Sequence, residues 1–250
     1  MCARRSRCTQ TLLSVSLSPR STLDIYEQVP GEVVLGLVTR AFRVAEHLVQ
    51  HPEQWNGEEC SVALRILRET KILLSWMFAQ DDPAIFDSFK DFGLGKRKLQ
   101  LKHAEALQTR ISGGGGAQHV DGLVASLRQP TGGEHGDSFQ AVSVEPTFAN
   151  KSLRTMAEET DVLDDYNFTV QPTSGVLHGE YWALEDYCLQ PCKNILHLFH
   201  QIPRSDRVQP NLNFPTVVVL PRVAEVVTIG LTGLGLISGE HDVTATNSEI

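Results

Sequence analysis

Between Pro30 and Pro52 the apolar residues fall at Val33, Val34, Leu37, Val38, Ala41, Val44, Ala45, Leu48 and Val49. Steps of three and four residues sustained over five turns place them on one side of a helix, because an α-helix turns once every 3.6 residues. Pro30 suits the first turn, where its missing N–H costs nothing, and Pro52 stops the helix. A helix with one apolar stripe must bury that stripe against other elements. The rest of the chain offers helical partners. A second helix is predicted over about 58–80, with Val62, Ile66, Leu67, Leu73, Leu74, Trp76 and Met77. A third stretch opens at Pro83 and reaches about Arg110, with an interruption expected at the "GLG" of 93–95.

The pattern then changes. Residues 112–147 are rich in glycine and poor in large apolar side chains, which reads as a flexible insertion holding one short helix. "NKSLRTMAEETDVLDDYN" restores helical spacing, with Asn150 or Ser152 as the cap. "TSGVLHGEYWALEDY", 173–187, reads as a further helix with Thr173 as N-cap. Pro191 breaks the chain, and "KNILHLFHQI" adds a turn or two of helix. Pro221 can begin a last apolar helix through about Leu236. "TVVVL", 216–220, is the one β-branched run, and a lone strand has nothing to pair with. The expected architecture is an all-α bundle of five or six helices with a flexible Gly-rich insertion. It divides into a disordered tail over 1–22, a helical domain over 23–205 and a C-terminal segment over 206–250 of loop, apolar helix and polar tail.

Composition narrows the function classes. A net charge of −8 disfavours broad electrostatic steering toward nucleic acid, although a local basic patch could still act. The five cysteines, at 2, 8, 60, 188 and 192, form no regular framework, as expected of a reducing cytoplasm. Residues 1–20 have a basic start, but Ser14, Ser16 and Ser18 break the apolar run that a secretory leader needs. The most apolar segment, 226–239, is 14 residues without charge, short of the ~20 that cross a bilayer. A buried helix is expected there, and no membrane association.

Two polar stripes interrupt apolar helices. Arg65 and Glu69 are four apart, with Arg68 beside them, bordering the face that should be buried. Unpaired charges in such a place cost several kcal/mol. A solvated i,i+4 pair, worth only a few tenths of a kcal/mol, is the plainer reading. On the later helix Ser174, His178, Tyr181 and Glu185 fall on one stripe. A histidine there could serve as a general base, since its ordinary pKa of about 6.5 lies near cellular pH. It could equally fill space beside a serine bonded to the backbone.

"LRILRETKILLSWMFAQDDPAIFDSFKDFG" and "NKSLRTMAEETDVLDDYNFTVQPTSGVLHG" resemble the two halves of a mostly bacterial helical family, domain-of-unknown-function family five-six-seven-seven. The matching positions are Arg65, Glu69, Tyr166, Ser174 and His178, and the resemblance covers about 30–187. It implies a shared polar stripe and no reaction. A weaker analogy is to the helical bundles of the higher eukaryotes and prokaryotes nucleotide-binding (HEPN) superfamily. Many of its members are metal-independent ribonucleases, some acting as toxins or in phage defence, with an Arg four to six residues before a His. This chain departs from that spacing: the Arg preceding His178 is Arg154, so Arg65 or Arg68 would have to act from a neighbouring helix.

The first expectation is therefore a binding or interaction module in which Arg65, Glu69, Ser174 and His178 form a buried polar network. The second is a ribonuclease using His178, Arg65, Glu69 and Ser174, with Lys96, Arg97 and Lys98 on the RNA backbone. Partners would be RNA, another protein or a second copy of the chain, and no cofactor is called for. Cys188, Cys192, His197 and His200 are zinc-ligand types, but Cys-x3-Cys and His-x2-His depart from the usual knuckle spacing. They read as two buried cysteines and two histidines on an amphipathic turn, with no metal site.

Overall fold

The computed structural model describes residues 28–111, 117–128, 141–197, 200–204, 210–211 and 215–237. The tail over 1–22 lies outside the described residues, as do 112–116 and 129–140 of the Gly-rich insertion. The protein is an all-α bundle. Helix α1 spans Gln28–Gln50, α2 Glu59–Ala79, α3 Ala84–Arg110 and α4 Ala117–Arg128. Helix α5 covers Leu153–Glu159 and α6 is the single turn Leu163–Asp165. A π-helical segment, Tyr166–Val170, leads into α7, Gln171–His178. Helix α8, Tyr181–Ala183, runs into a second π turn, Leu184–Cys188, and α9 spans Leu220–Gly233.

Helix α2 is the axis of the bundle, packed by α1, α5, the first π segment, α7 and α9. Its start is held by Asn56, whose side-chain oxygen accepts from the amides of Glu58 and Glu59 at 3.0 and 2.9 Å. The last turn of α1 is closed by Trp55, whose indole N–H donates to the Leu48 carbonyl at 2.6 Å. Leu67, Ile72, Leu74 and Met77 of α2 are buried against Val34, Val38 and Ala41 of α1 and Val223 and Val226 of α9. Gly230 lets α9 approach α1 closely: a Cβ there would sit 2.8 Å from Val38 and 3.1 Å from Val34. The apolar run owes its character over 226–234 to the core, and among the described residues no helix is long and apolar enough to cross a membrane.

Several expectations are corrected. Helix α3 runs unbroken through 93–95, because Gly95 is the crossing point for the returning chain. A Cβ there would meet Ser143 at 2.8 Å and the Ala141 carbonyl at 2.9 Å. The one short helix expected in the insertion is α4, which packs on α3 around a small second core of Ala104, Val120 and Val124. Thr173 is not an N-cap. Pro172 sits in the first turn of α7, and the Thr173 hydroxyl donates back to the Thr169 and Val170 carbonyls at 2.6 and 3.1 Å. The 173–187 helix is broken after His178, because Gly179 takes left-handed angles (φ 64°) and ends α7. That geometry brings the Glu180 amide back to the Gly175 carbonyl at 2.9 Å, a Schellman-type stop. The stripe Ser174, His178, Tyr181, Glu185 therefore does not continue past His178. Of "KNILHLFHQI", Ile195–His197 form a 3-10 turn and Gln201 and Ile202 belong to a strand, while 198–199 lie outside the described residues. That turn lies between two short antiparallel strands, β1 Leu189–Pro191 and β2 Gln201–Pro203, with Gln190 opposite Ile202. "TVVVL" belongs to a π-helical turn, Pro215–Val219, that feeds α9.

Candidate functional site

Arg65 and Glu69 pair with each other, Nε to Oε1 at 2.7 Å, and both side chains are partly exposed. Ser174 is half-buried and His178 exposed, on a helix that packs against α2. Neither bonds to Arg65 or Glu69 among the described residues, so the expected closed network of these four differs from what the fold builds. The physical reason is the stop at Gly179: α7 has two turns, and His178 sits on its last, at the solvent end. Tyr166 of the first π segment packs at the margin of the main core.

The charged network instead centres on Arg68, the neighbour of the expected pair. Its Nη1 lies 2.9 Å from Asp165 Oδ1 and 2.5 Å from Glu225 Oε2. Lys71 closes the ring, with Nζ 2.5 Å from Asp165 Oδ2 and 3.0 Å from Glu225 Oε2. Arg222 adds a longer contact to Glu225 at 3.5 Å. The Arg68 side chain is only 5% exposed, and its Nε has no hydrogen-bond partner among the described residues. Two cations on α2 are thereby tied to one carboxylate from α6 and one from α9. Charges balance, and each buried cation has carboxylates on two sides, as a low-dielectric site demands. Sequence reasoning missed Asp165, Lys71 and Glu225. The signal was a lone acid inside "VAEVV" and an i,i+3 Arg and Lys in an apolar helix.

Below His178 the chain makes a fixed reversal. Trp182 lies across Gly175, where a Cβ would meet the indole at 2.6 Å, and its Nε1 donates to Glu180 at 2.9 Å. Just beyond, Tyr187 covers Gly57, and Cys188 lies 3.8 Å from Glu58 Oε1. Since Asp165 sits beside Arg68 and Lys71 mid-helix, α7 runs antiparallel to α2 toward its start. Burial, with Asp186 and Glu58 nearby, pushes the Tyr187 hydroxyl pKa up. Around the reversal Leu177, Tyr181, Trp182 and Leu184 are exposed, Tyr181 by 64%.

The other candidates are spread out. Lys96 stands 5.2 Å from the centre of the Phe92 ring, and Arg97 donates to the Ser126 and Leu127 carbonyls at the end of α4. All three basic residues lie within α3, and Arg97 faces its hairpin partner. Cys188 is exposed and Cys192 half-buried, which corrects the expectation of two buried cysteines. Cys192 Sγ is 3.9 Å from His197 Nδ1, and the His197 and His200 rings stack at 5.8 Å. Among the described residues no three such side chains converge to hold a metal ion. Cys60 is buried, its thiol donates to the Gln54 carbonyl at 2.9 Å, and burial pushes its pKa to about 11. A thiol so placed stays protonated at neutral pH and is a poor nucleophile.

A family model described as a family of unknown function (DUF5677) matches residues 31–194, from α1 to the end of the β1 strand region. No curated protein and no solved structure matches the chain.

Proposed function

The chain belongs to this family of unknown function, so its role must be read from its own side chains, and we propose that it is a cytosolic protein-binding module docking through the reversal after α7. The observation that carries this reading is the exposed ridge of Leu177, Tyr181, Trp182 and Leu184, four large apolar side chains within eight residues. Apolar side chains clustered in solvent mark interaction surfaces, and Tyr and Trp dominate binding energies there. The ridge is held by the Gly179 stop and the Trp182–Glu180 hydrogen bond, so little conformational entropy is lost when a partner lands. His178 and Ser174 supply polar groups beside it, and the Arg65–Glu69 pair lies on the supporting helix.

A photo-crosslinking amino acid at Tyr181 is expected to capture discrete protein species in cells, whether a second copy or another chain. The same group at Leu123, which is 46% exposed on α4, serves as control and should capture none. Equal, diffuse labelling at both positions would sink the reading. A second reading, a metal-independent ribonuclease, draws on one observation: His178 is open to solvent on a helix packed against the one bearing Arg65 and Arg68. RNA cleavage by the wild type that is lost in His178→Ala would put this reading first.

A further inference from the structure

At the other end of α2, about 30 Å away at 1.5 Å per helical residue, lies a half-open cleft of about 400 Å³. It forms where the last turns of α2 and α9 meet the starts of α1 and α3. Met77 and Phe86 make its floor and are almost fully buried. The Phe78 ring stands 5.5 Å from that of Phe86 and is pressed against Gly233, where no side chain beyond hydrogen fits. The floor is therefore apolar, aromatic and fixed.

The rim is acidic. Asp82 holds the start of α3, its Oδ1 accepting from the Ala84 amide at 3.0 Å. Asp81 ends α2 with φ 51°, a left-handed conformation that glycine or asparagine adopts more readily. An L residue there costs roughly 1–2 kcal/mol relative to glycine. The Asp81 carboxylate has no partner among the described residues. The carbonyl ends of α2 and α9 and the amide starts of α1 and α3 meet here, so the helix-end charges offset one another and the negative charge of the rim is that of the two carboxylates. An apolar floor under carboxylates favours an organic cation: the floor takes its apolar body and the rim its charge. An anion is repelled, and a neutral ligand gains nothing from the rim. The volume lies in the range of small-molecule pockets, about 300–1,000 Å³.

We propose that this cleft binds a small alkylammonium compound, its cationic nitrogen between Asp81 and Asp82 and its apolar body on Met77, Phe78 and Phe86. The test is a calorimetric titration of the full chain with benzyltrimethylammonium and, as the neutral probe, benzyl alcohol. The cation should bind about tenfold or more tighter, and its affinity should fall with added salt. Asp81→Asn keeps a residue tolerant of the left-handed turn, and its Kd should rise about fivefold, as for loss of one solvent-exposed ion pair. Asp82→Asn keeps the contact to Ala84 and provides a second charge-only variant. Leu234→Trp, at the mouth, should block binding, and because Leu234 also packs on the main core its urea unfolding midpoint is measured alongside to show that the fold is retained. Equal affinity for the two probes, no heat from the cation at millimolar concentration, or unchanged binding in both Asn variants would each overturn the proposal.

Discussion

The surroundings of α2 and the α3–α4 hairpin are both made of amphipathic helices, but they are held together differently. Around α2, ion pairs join residues far apart in sequence, 157 residues for Arg68 and Glu225, and the key cation is almost out of water. In the hairpin the pairs are local and exposed: Arg128 with Glu105, and Gln108 with Asp121. Its core is three buried residues, against a contiguous main core drawn from seven elements. The same residue types thus do different physical jobs. Inside, a charge fixes which helices meet, because an uncompensated partner is costly; outside, water already satisfies it.

That contrast can be broken or sharpened by substitution. The largest effect is expected from Arg68→Ala, which leaves Asp165 with Lys71 alone and Glu225 with Lys71 and the longer Arg222 contact, and should lower unfolding free energy by about 3–5 kcal/mol in urea titration. Val124→Ala in the small core should cost about 1–2 kcal/mol. Hydrogen exchange should then show α4 opening while the amides of α2 stay protected, because the hairpin has its own core. Acid sharpens an intermediate case. Glu159 accepts from Lys151 at 2.6 Å and from the Trp76 indole at 2.6 Å, and these donors hold its carboxyl below the usual value of 4.5. A folded value below the unfolded one means that its contribution is complete above pH 4.5 and is lost as pH falls through the folded value. Melting temperatures of the wild type and Glu159→Gln should therefore converge as the pH is lowered below 4.5. The smallest effect is expected from Arg128→Ala, under about 0.5 kcal/mol, since its side chain is 61% exposed.

The helices were legible because periodicity is a local property. The stripe from Val34 to Leu48 and the residues Leu67, Leu74 and Met77 are buried where their spacing puts them. The breaks were harder. Gly95 reads as an interruption but is a crossing point, whereas Gly179 reads as helix interior but ends the helix. A glycine supplies both a missing side chain and a left-handed turn, and only its neighbours decide which is used. The candidate residues divide in the same way. Arg65 and Glu69 pair as i,i+4 spacing allows, while Arg68, one step round the helix, holds the buried network. Nothing local distinguishes the two arginines; their burial depends on α6 and α9, which arrive much later in the chain.

The sequence by itself determined an all-α bundle, the burial of most of its apolar stripes (Val49 and Val62 are exposed) and the family to which it belongs, because each follows from short-range spacing or from matching residues. Only the tertiary structure decided which charges are buried, that α7 ends at His178 in a fixed apolar ridge, and that four helix ends enclose an acidic-rimmed cleft. Those outcomes rest on contacts between segments many residues apart, where desolvation and close packing act and spacing carries no information.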